Sequence, residues 1–342
     1  MAHLKATFSL GEQLNAAYTQ DRQGNNIEFL PVIQPAPFER RETMTHLERN
    51  LDPIREQLVR HGGVLLRGFS ITTPEEFSRI FEGMCGQSLN YRQRSTQRKE
   101  YADRVYSSTE YDSRKSIQLH SENSFQTRWP ARIAFWCVKT AQGGGATPVA
   151  TNKSVYDALS ENIRSEFESR QIMYVRNYGG GLEMQWQEAF QTEDRGEVEG
   201  YCRNNGIEFD WLEDDILRTR QVLPATVSEV NSQSPVWFNQ AHLFHASQME
   251  KDVRLELEVL LDAKSFPRHC FFGDGGMIPD SYFDEIRLAY SRNTRTFDWR
   301  DNDLMILDNV QVCHGREPFE GERRVLVAMA QSTSFSDVGP DR

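Results

Sequence analysis

Residues 116–122 of this chain read Ser-Ile-Gln-Leu-His-Ser-Glu, a short extended run, and this stretch decides the fold class that the sequence predicts. On a strand, residues i and i+2 lie on the same face, so the side chains of His120 and Glu122 can hold one ion. A second imidazole follows far downstream, at His314. Two imidazoles and one carboxylate can occupy one face of an octahedral iron(II) and leave three positions open for small molecules.

The pattern His-x-Glu occurs a second time, at His46 and Glu48. The residues around it lead into a helical pattern, in which positions i and i+2 point in roughly opposite directions. We therefore interpret His46 as a surface residue and place the metal site at His120 and Glu122.

Two further segments support a site built on strands. The glycine run at 143–145 permits a tight turn and a close approach of the backbone, and Thr147 follows it with a free hydroxyl. An apolar strand that starts at Asp303 runs into a turn and leads to His314.

A pair of arginines, Arg323 and Arg324, opens the last apolar strand. Successive side chains on a strand point to opposite faces, so only one of the two can enter a barrel. Arginine suits the binding of a carboxylate because its fork bonds both oxygens and never loses its charge. Arg324 lies ten residues after His314, and we predict that Arg324, rather than Arg323, binds a dicarboxylate co-substrate.

These residues together resemble the pattern of the taurine dioxygenase and clavaminate synthase-like superfamily of iron(II)- and 2-oxoglutarate-dependent oxygenases, from about Gly62 to Met329. Within it, the chain is most similar to a branch linked to nonribosomal peptide synthesis, which includes amino-acid β-hydroxylases similar to the syringomycin aspartyl hydroxylase. The segments that carry this closer resemblance are residues 107–111, 174–178, 186–187, 190–192, 236–245, 272–275 and 314–316.

The resemblance implies a role for each matching residue. His120, Glu122 and His314 would ligate iron(II). Thr147 and Arg324 would hold the distal carboxylate of 2-oxoglutarate, whose other end chelates the metal, and dioxygen would be the second co-substrate.

Two positions bear on the substrate that the resemblance implies. Taurine dioxygenase has a second arginine four residues after the first, which holds the sulfonate, whereas this chain has Ala328 there. Related halogenases have a small residue where this chain has Glu122. We therefore predict hydroxylation of an amino acid at Cβ, with the amino acid either free or tethered to a carrier protein of a nonribosomal peptide synthetase. Desaturation and epoxidation remain open.

Several polar residues are candidates for contact with the substrate. Gln118 would share the strand face of His120, and Arg176 could pair with a carboxylate. Asn239, Gln240 and His242 follow a strand near the place where the superfamily binds its substrate. For each of these residues the alternative is a structural hydrogen bond.

We expect one domain, residues 1–342, in the mainly β class with flanking helices. The resemblance implies a distorted double-stranded β-helix, related to jelly rolls and cupins. Residues 1–30 form an N-terminal extension in this interpretation. A helical insertion at about 155–220 would cover the barrel mouth as a lid.

The composition excludes several classes of protein. The net charge is −11 and the basic residues are scattered, which argues against a nucleic-acid partner. The five cysteines are dispersed without a Cys-x-x-Cys pair, which indicates reduced thiols in the cytoplasm. The start of the chain lacks the apolar run of a signal peptide, and no stretch is long and apolar enough for a membrane span.

Two other functions could use the same residues. A zinc hydrolase also binds its metal with two histidines and one glutamate, but it has no need of Thr147 and Arg324. A non-catalytic, cupin-like binding protein would be expected to lose at least one metal ligand, and none is missing here. The oligomeric state is not predicted.

Overall fold

A computed structural model describes residues 8–9, 14–36, 43–90, 100–108, 111–181, 183–229 and 232–338. Within these residues the chain forms twenty strands and ten helices. The strands are Phe8–Ser9 (β1), Leu14–Gln20 (β2), Asn26–Pro35 (β3), Gly63–Leu66 (β4), Glu100–Ala102 (β5), Val105–Ser107 (β6), Ile117–His120 (β7), Arg128–Lys139 (β8), Gly143–Gly144 (β9), Val149–Thr151 (β10), Ile172–Tyr178 (β11), Glu208–Trp211 (β12), Leu217–Leu223 (β13), Thr226–Ser228 (β14), Pro235–Trp237 (β15), Arg268–Phe272 (β16), Leu304–Asp308 (β17), Val312–Arg316 (β18), Phe319–Glu320 (β19) and Arg324–Ser334 (β20). The helices are Thr43–Arg49 (α1), Leu51–His61 (α2), Pro74–Cys85 (α3), Asn152–Ala158 (α4), Glu161–Arg170 (α5), Trp186–Phe190 (α6), Arg195–Asn204 (α7), Ala241–Phe244 (α8), Lys251–Leu260 (α9) and Asp280–Asn293 (α10).

The largest sheet has nine strands in the order β1-β2-β3-β4-β17-β8-β20-β6-β5. Its central strands are buried on both faces. On one face, Trp136 of β8 packs against Phe77 of α3 with ring centroids 5.7 Å apart, and Leu326 of β20 belongs to the same cluster. On the other face, Phe135 and Val327 belong to a second cluster. Helices therefore cover one face, and the second cluster fills the space behind the other.

A three-stranded sheet, in the order β10-β18-β7, lies over that second face. Val149 of β10 and Val312 of β18 pack in the same cluster as Phe135. Strands β7 and β18 of this small sheet carry two of the predicted metal ligands, His120 and His314. The space between the two sheets therefore leads from the core to the candidate site.

The region around α1 and α2 corrects one expectation. His46 is buried, not exposed, because α1 packs against β3 and carries the neighbouring Leu47 into the core. Helix α2 ends at His61, and Gly62 follows with a φ of 83°, the left-handed conformation that glycine tolerates best.

The predicted insertion is not purely helical. The stretch from 155 to 220 contains α5, α6 and α7, but also β11 and β12 and the start of β13. These strands form, with β16, a four-stranded sheet in the order β12-β13-β11-β16. Strand β11 carries buried side chains on both faces, so its sequence lacks the simple alternation that marks a half-buried strand.

The N-terminal segment is more than an extension. Strands β2 and β3 form an antiparallel pair, and β3 joins the main sheet through parallel pairing of Val32 and Ile33 with β4. Strands β1, β2 and β3 therefore belong to the main sheet. Among the helices described, none combines the length and apolar character required to cross a membrane.

Candidate active site

Two histidines from neighbouring strands define the centre of the site. His120, the last residue of β7, lies directly opposite His314 of β18 in antiparallel register. The Nδ1 atom of His120 is 2.9 Å from the carbonyl oxygen of Gln118, and the Nε2 atom lies on the side of Glu122. The Nε2 atoms of both histidines are 4.0 Å from the same carboxylate oxygen, Oε2 of Glu122.

Glu122 reaches this position from a turn, not from a strand. Strand β7 ends at His120, so His120 and Glu122 do not share the face of one strand as we expected. Their side chains nevertheless lie close together, as that expectation required. The turn is fixed by Asn309, whose Oδ1 accepts a hydrogen bond from the Glu122 backbone N–H at 2.7 Å. The Asn309 amide also donates to the carbonyl oxygens of Glu122 and Pro130, both at 2.9 Å. A fully buried amide thus holds the backbone of the third predicted ligand.

The same turn is held by three other polar side chains. The Gln240 amide donates to the carbonyl oxygen of Ser121 at 2.8 Å, and the Asn152 amide donates to the Ser121 hydroxyl at 2.8 Å. His242 approaches the carbonyl oxygen of Leu119 with Nε2 at 2.9 Å. Burial lowers the pKa of His242 to about 3, so this imidazole is neutral and donates through Nε2.

These contacts change the interpretation of two residues proposed as substrate contacts. The Asn239 amide donates to the carbonyl oxygen of Ala225 at 2.9 Å, and its Oδ1 accepts from the Ala241 backbone N–H. Asn239 and His242 are both buried, neither lines the pocket around the metal ligands, and both make structural hydrogen bonds. Gln118 is exposed on β7 and does not line that pocket either.

The pocket beside the three ligands contains about 420 Å³ of empty space, part of it open to solvent. Apolar side chains from both sheets form its walls, and one of them, Phe135, lies 4.7 Å from His314 between ring centroids. The residues that line it are Ser108, Ile117, His120, Glu122, Phe135, Thr147, His314, Gly315, Arg316, Arg323, Val325 and Val327.

Of the two adjacent arginines, Arg323 lines this pocket and Arg324 does not. Arg323 lies on the same face as Val325 and Val327, whereas Arg324 begins β20 with an exposed side chain. The sequence could not decide between them because β20 is apolar on both faces: Leu326 and Ala328 pack under the helices while Val325 and Val327 face the pocket. The predicted choice of Arg324 is corrected accordingly.

Arg323 is a partly buried cation that is available to an anion. Its Nε donates to the carbonyl oxygen of Gly145 at 2.9 Å, and its guanidinium lies 5.6 Å from the ring of Phe319. Burial lowers its pKa to about 10, which still leaves it charged at neutral pH. No carboxylate in the described residues forms an ion pair with it, so a ligand carboxylate can provide the missing charge.

Thr147 lines the same pocket and is buried. Its Oγ1 accepts a hydrogen bond from Nε1 of Trp299 at 3.0 Å, which leaves the hydroxyl proton to be donated to a ligand. The preceding glycine run makes the predicted close approach: a Cβ on Gly144, whose φ is 68°, would lie 2.3 Å from the carbonyl oxygen of Pro318.

Two residues of the site were not found from the sequence. Asn309 follows an apolar strand, which is a common place for a turn residue, and only its contacts reveal what it holds. Arg316 lies two residues after His314 and donates to the carbonyl oxygens of Tyr111, Asp112 and Lys115 at 3.1, 2.7 and 2.9 Å. These hydrogen bonds hold the segment that precedes β7 against β18, the strand that carries His314.

The donor set fits a divalent transition metal. One ligand atom from each of His120, Glu122 and His314 can be chosen so that all lie within 4.8 Å of one another. Two nitrogens and one carboxylate oxygen on one side of an ion leave the opposite side open to the pocket. The partly buried cation of Arg323 and the hydroxyl of Thr147 line that pocket.

Comparisons with known proteins agree with this geometry. Residues 28–330 match the family described as "Taurine catabolism dioxygenase TauD, TfdA family". The dapdiamide synthesis protein DdaC of Enterobacter agglomerans is 43% identical over 305 residues, covering 87% of this chain and 93% of that protein. The crystal structure of PvcB from Pseudomonas aeruginosa superimposes with a TM-score of 0.60 at 16% identity, covering 99% of this chain and 100% of the other. A structure of asparagine oxygenase, in complex with Fe(II), 2S,3S-3-hydroxyasparagine and succinate, gives a TM-score of 0.52 at 12% identity, covering 84% of this chain and 79% of the other.

Proposed function

The chain belongs to the TauD, TfdA family of iron(II)- and 2-oxoglutarate-dependent oxygenases, and we propose that it hydroxylates an unactivated C–H bond, at Cβ, of an amino-acid unit. The observation that carries the proposal is the meeting of His120, Glu122 and His314 beside a partly buried arginine, Arg323, that has no carboxylate partner among the described residues. Such a site combines three metal ligands with a receptor for an anionic co-substrate.

Each residue of the site has a proposed task. His120, Glu122 and His314 hold the iron, and Arg323 takes the distal carboxylate of 2-oxoglutarate together with the Thr147 hydroxyl. Bound iron supplies, with 2-oxoglutarate and dioxygen, the oxidative chemistry that protein side chains lack. The chain's own residues position and shield the reactants: Asn309 holds the Glu122 turn, and Phe135 excludes water from one wall.

Glu122 favours hydroxylation over halogenation, because its carboxylate occupies the position that must be small to admit a halide. Desaturation and epoxidation use the same metal ligands and co-substrate, and they remain the alternative outcomes. Product mass separates them, since hydroxylation or epoxidation adds one oxygen and desaturation removes two hydrogens. A chemical assay for the hydroxyl group then distinguishes the first two.

Two comparisons support an amino-acid unit as substrate. The relative at 43% identity is a protein of dapdiamide synthesis, and the asparagine oxygenase that shares the fold was solved with a hydroxylated amino acid. With Arg323 in place of Arg324 as the first arginine, the position four residues later is Val327, which lines the pocket, rather than Ala328. Neither residue carries the charge of the sulfonate-binding arginine of taurine dioxygenase, which is consistent with a different substrate class. The amino acid is either free or tethered to a carrier protein, and the two forms are arms of the test below.

We propose the same for the fold of the core, for the lid and for the location of the enzyme in the cell. The two facing sheets are consistent with a distorted double-stranded β-helix within a single domain, and the stretch at 155–220 with a lid that combines helices and strands. All five cysteines are free and buried, which fits an enzyme of the reducing cytoplasm.

A succinate-release screen tests the proposal. The purified enzyme, loaded with iron(II), is supplied with 2-oxoglutarate and each amino acid, free and loaded on a carrier protein. We expect coupled turnover and a gain of one oxygen on an amino-acid unit. Turnover coupled only to sulfonates, aryloxy acids or nucleobases would refute the substrate class. If the purified protein contains zinc in place of iron, the zinc hydrolase is supported instead. If the iron-loaded protein shows no turnover of 2-oxoglutarate, the non-catalytic binding protein is supported instead.

A further inference from the structure

A second buried cationic cluster lies outside the pocket of the metal ligands. It consists of Arg176 on β11, Arg268 on β16, and Glu183 in the segment that follows β11. Arg176 and Arg268 are direct partners in the antiparallel register of the two strands. Like charges directly opposite each other on a sheet destabilise it, so this arrangement calls for compensating negative charge.

Glu183 brings one negative charge to the two guanidinium groups and is hydrogen-bonded most closely to Arg268. Its carboxylate accepts two hydrogen bonds from Arg268, one of them from Nη2 at 2.8 Å, and a third from the Met184 backbone N–H at 3.0 Å. Burial opposes ionisation of Glu183, but the hydrogen bonds from Arg268 and the charge of Arg176 lower its pKa overall. With two arginines and one ionised glutamate, the cluster has one excess positive charge.

Arg176 is the guanidinium left without full compensation. Its side chain is 5% exposed and lies 3.5 Å from Glu183, measured from Nη2 to Oε1. Its Nε and Nη2 atoms are buried and have no hydrogen bond to any described residue. Its guanidinium lies 4.4 Å from the ring of Tyr178, which stabilises a cation but does not satisfy its N–H groups. Buried, charged N–H groups of this kind are normally bonded, so a ligand anion is the missing partner.

The cluster is partly exposed at Arg268 and is connected to the turn of Glu122 through two aromatic side chains. The side chain of Arg268 is 33% exposed, in contrast to Arg176. Its guanidinium lies 5.9 Å from the ring of Phe244, which packs 5.1 Å from Phe125, three residues after Glu122 in the same turn.

We propose that Arg176 and Arg268 form a carboxylate-binding subsite for the substrate, separate from the 2-oxoglutarate site at Arg323. This inference rests on the proposed function and narrows it: the substrate is an amino-acid unit that bears a free carboxylate. A guanidinium fork bonds both oxygens of a carboxylate, and the ligand's charge brings the cluster to neutrality. A free amino acid offers its α-carboxylate, whereas a carrier-tethered one must offer a side-chain carboxylate, because its α-carboxylate is a thioester.

The test compares acids with their amides on matched variants. The iron(II)–2-oxoglutarate form is titrated without oxygen with α-amino acids and their primary amides, and binding is read from the visible absorption of the complex. For dicarboxylic amino acids the α-amide and the side-chain amide are titrated separately. The variants are Arg268→Gln and Arg268→Lys. Arg220→Gln is the control, because Arg220 lies on the same sheet and is already paired with Glu208 and Asp210.

We expect the wild-type protein and the Arg220→Gln control to bind the amino acid roughly 10- to 100-fold more tightly than the amide made at one of its carboxylates. Arg268→Gln should bring that ratio close to one while the amide retains its affinity, and Arg268→Lys should restore part of the preference. The bound carboxylate should also raise the melting temperature of the wild type more than that of Arg268→Gln.

Three results overturn the inference: no carboxylate preferred over its amide in the wild type, a preference that survives in Arg268→Gln, or an equal loss of affinity for acid and amide. The last result identifies the cluster as a structural tie between the sheet and the Glu183 segment. If turnover is coupled to a carboxylic acid that has no amino group, the proposed substrate class is wrong. The role of Arg268 is then still tested by comparing the affinity for that acid with the affinity for its amide.

Discussion

His120 and His314 face each other across two antiparallel strands, with ring centroids 4.8 Å apart. This pairing brings together two imidazoles that are far apart in the sequence, and Glu122 closes the triangle from an adjacent turn. The backbone of the small sheet therefore fixes two of the three ligands before any metal binds.

Removal of either imidazole should abolish iron binding. We expect His120→Ala and His314→Ala to lose the visible absorption of the anaerobic iron–2-oxoglutarate complex, because two protein ligands cannot hold the ion as three do. His61→Gln, which removes an imidazole at the end of α2, is the control and should keep the band. Retention of the band in both alanine variants would refute the assignment of the ligands.

The two adjacent arginines should differ sharply in their effect on 2-oxoglutarate. Arg323→Gln removes the partly buried cation from the pocket and should raise the KM for 2-oxoglutarate roughly 10- to 100-fold, corresponding to about 1.5–3 kcal/mol for a hydrogen bond to a charged group. Arg324→Gln changes an exposed side chain and should leave that KM near the wild-type value. Steady-state kinetics at saturating substrate decide between them, and the opposite result would restore the choice that the sequence favoured.

Asn309 should control iron affinity without touching the iron. Asn309→Ala leaves the backbone N–H and carbonyl of Glu122 without their partner, and outer-shell changes of this kind typically lower metal affinity by about 10- to 100-fold. Competition with a colorimetric chelator measures the change. Asn293→Ala, which removes an amide bonded within α10, provides the comparison. Equal iron affinity in the two variants would show that the Asn309 contacts do not matter for the metal.

Acid should destabilise the protein partly through His242. Burial lowers its pKa in the folded protein to about 3, against an ordinary value of 6.5. The unfolded chain therefore binds a proton between these values that the folded chain does not, and stability falls as the pH drops below 6.5. The slope for one such group approaches roughly 1.4 kcal/mol per pH unit well below 6.5.

His242→Gln can keep a hydrogen bond to the carbonyl of Leu119 and cannot titrate. The free energy of unfolding, measured with urea between pH 7.5 and 5, should therefore depend less on pH in this variant. An unchanged slope in His242→Gln would mean that His242 is not held neutral in the folded protein.

The sequence by itself was enough to identify His120, Glu122 and His314 as a set, to place Thr147 beside them, and to indicate a sheet-rich oxygenase. These inferences depend on which side chains are present and on their order along the chain. A His-x-Glu pair, a distant histidine and a strand that begins with arginine can all be read without knowing how strands pair.

Only the tertiary structure decided which arginine enters the pocket, how Glu122 reaches the metal, and which polar residues are structural. A strand buried on both faces has no hydrophobic alternation, so its sequence cannot say whether Arg323 or Arg324 points inward. The hydrogen bonds from Asn309 to the Glu122 turn join residues distant in sequence, and so does the pairing of Arg176 with Arg268. Such contacts arise from strand order and register, which depend on how the whole chain packs and not on any local run of residues.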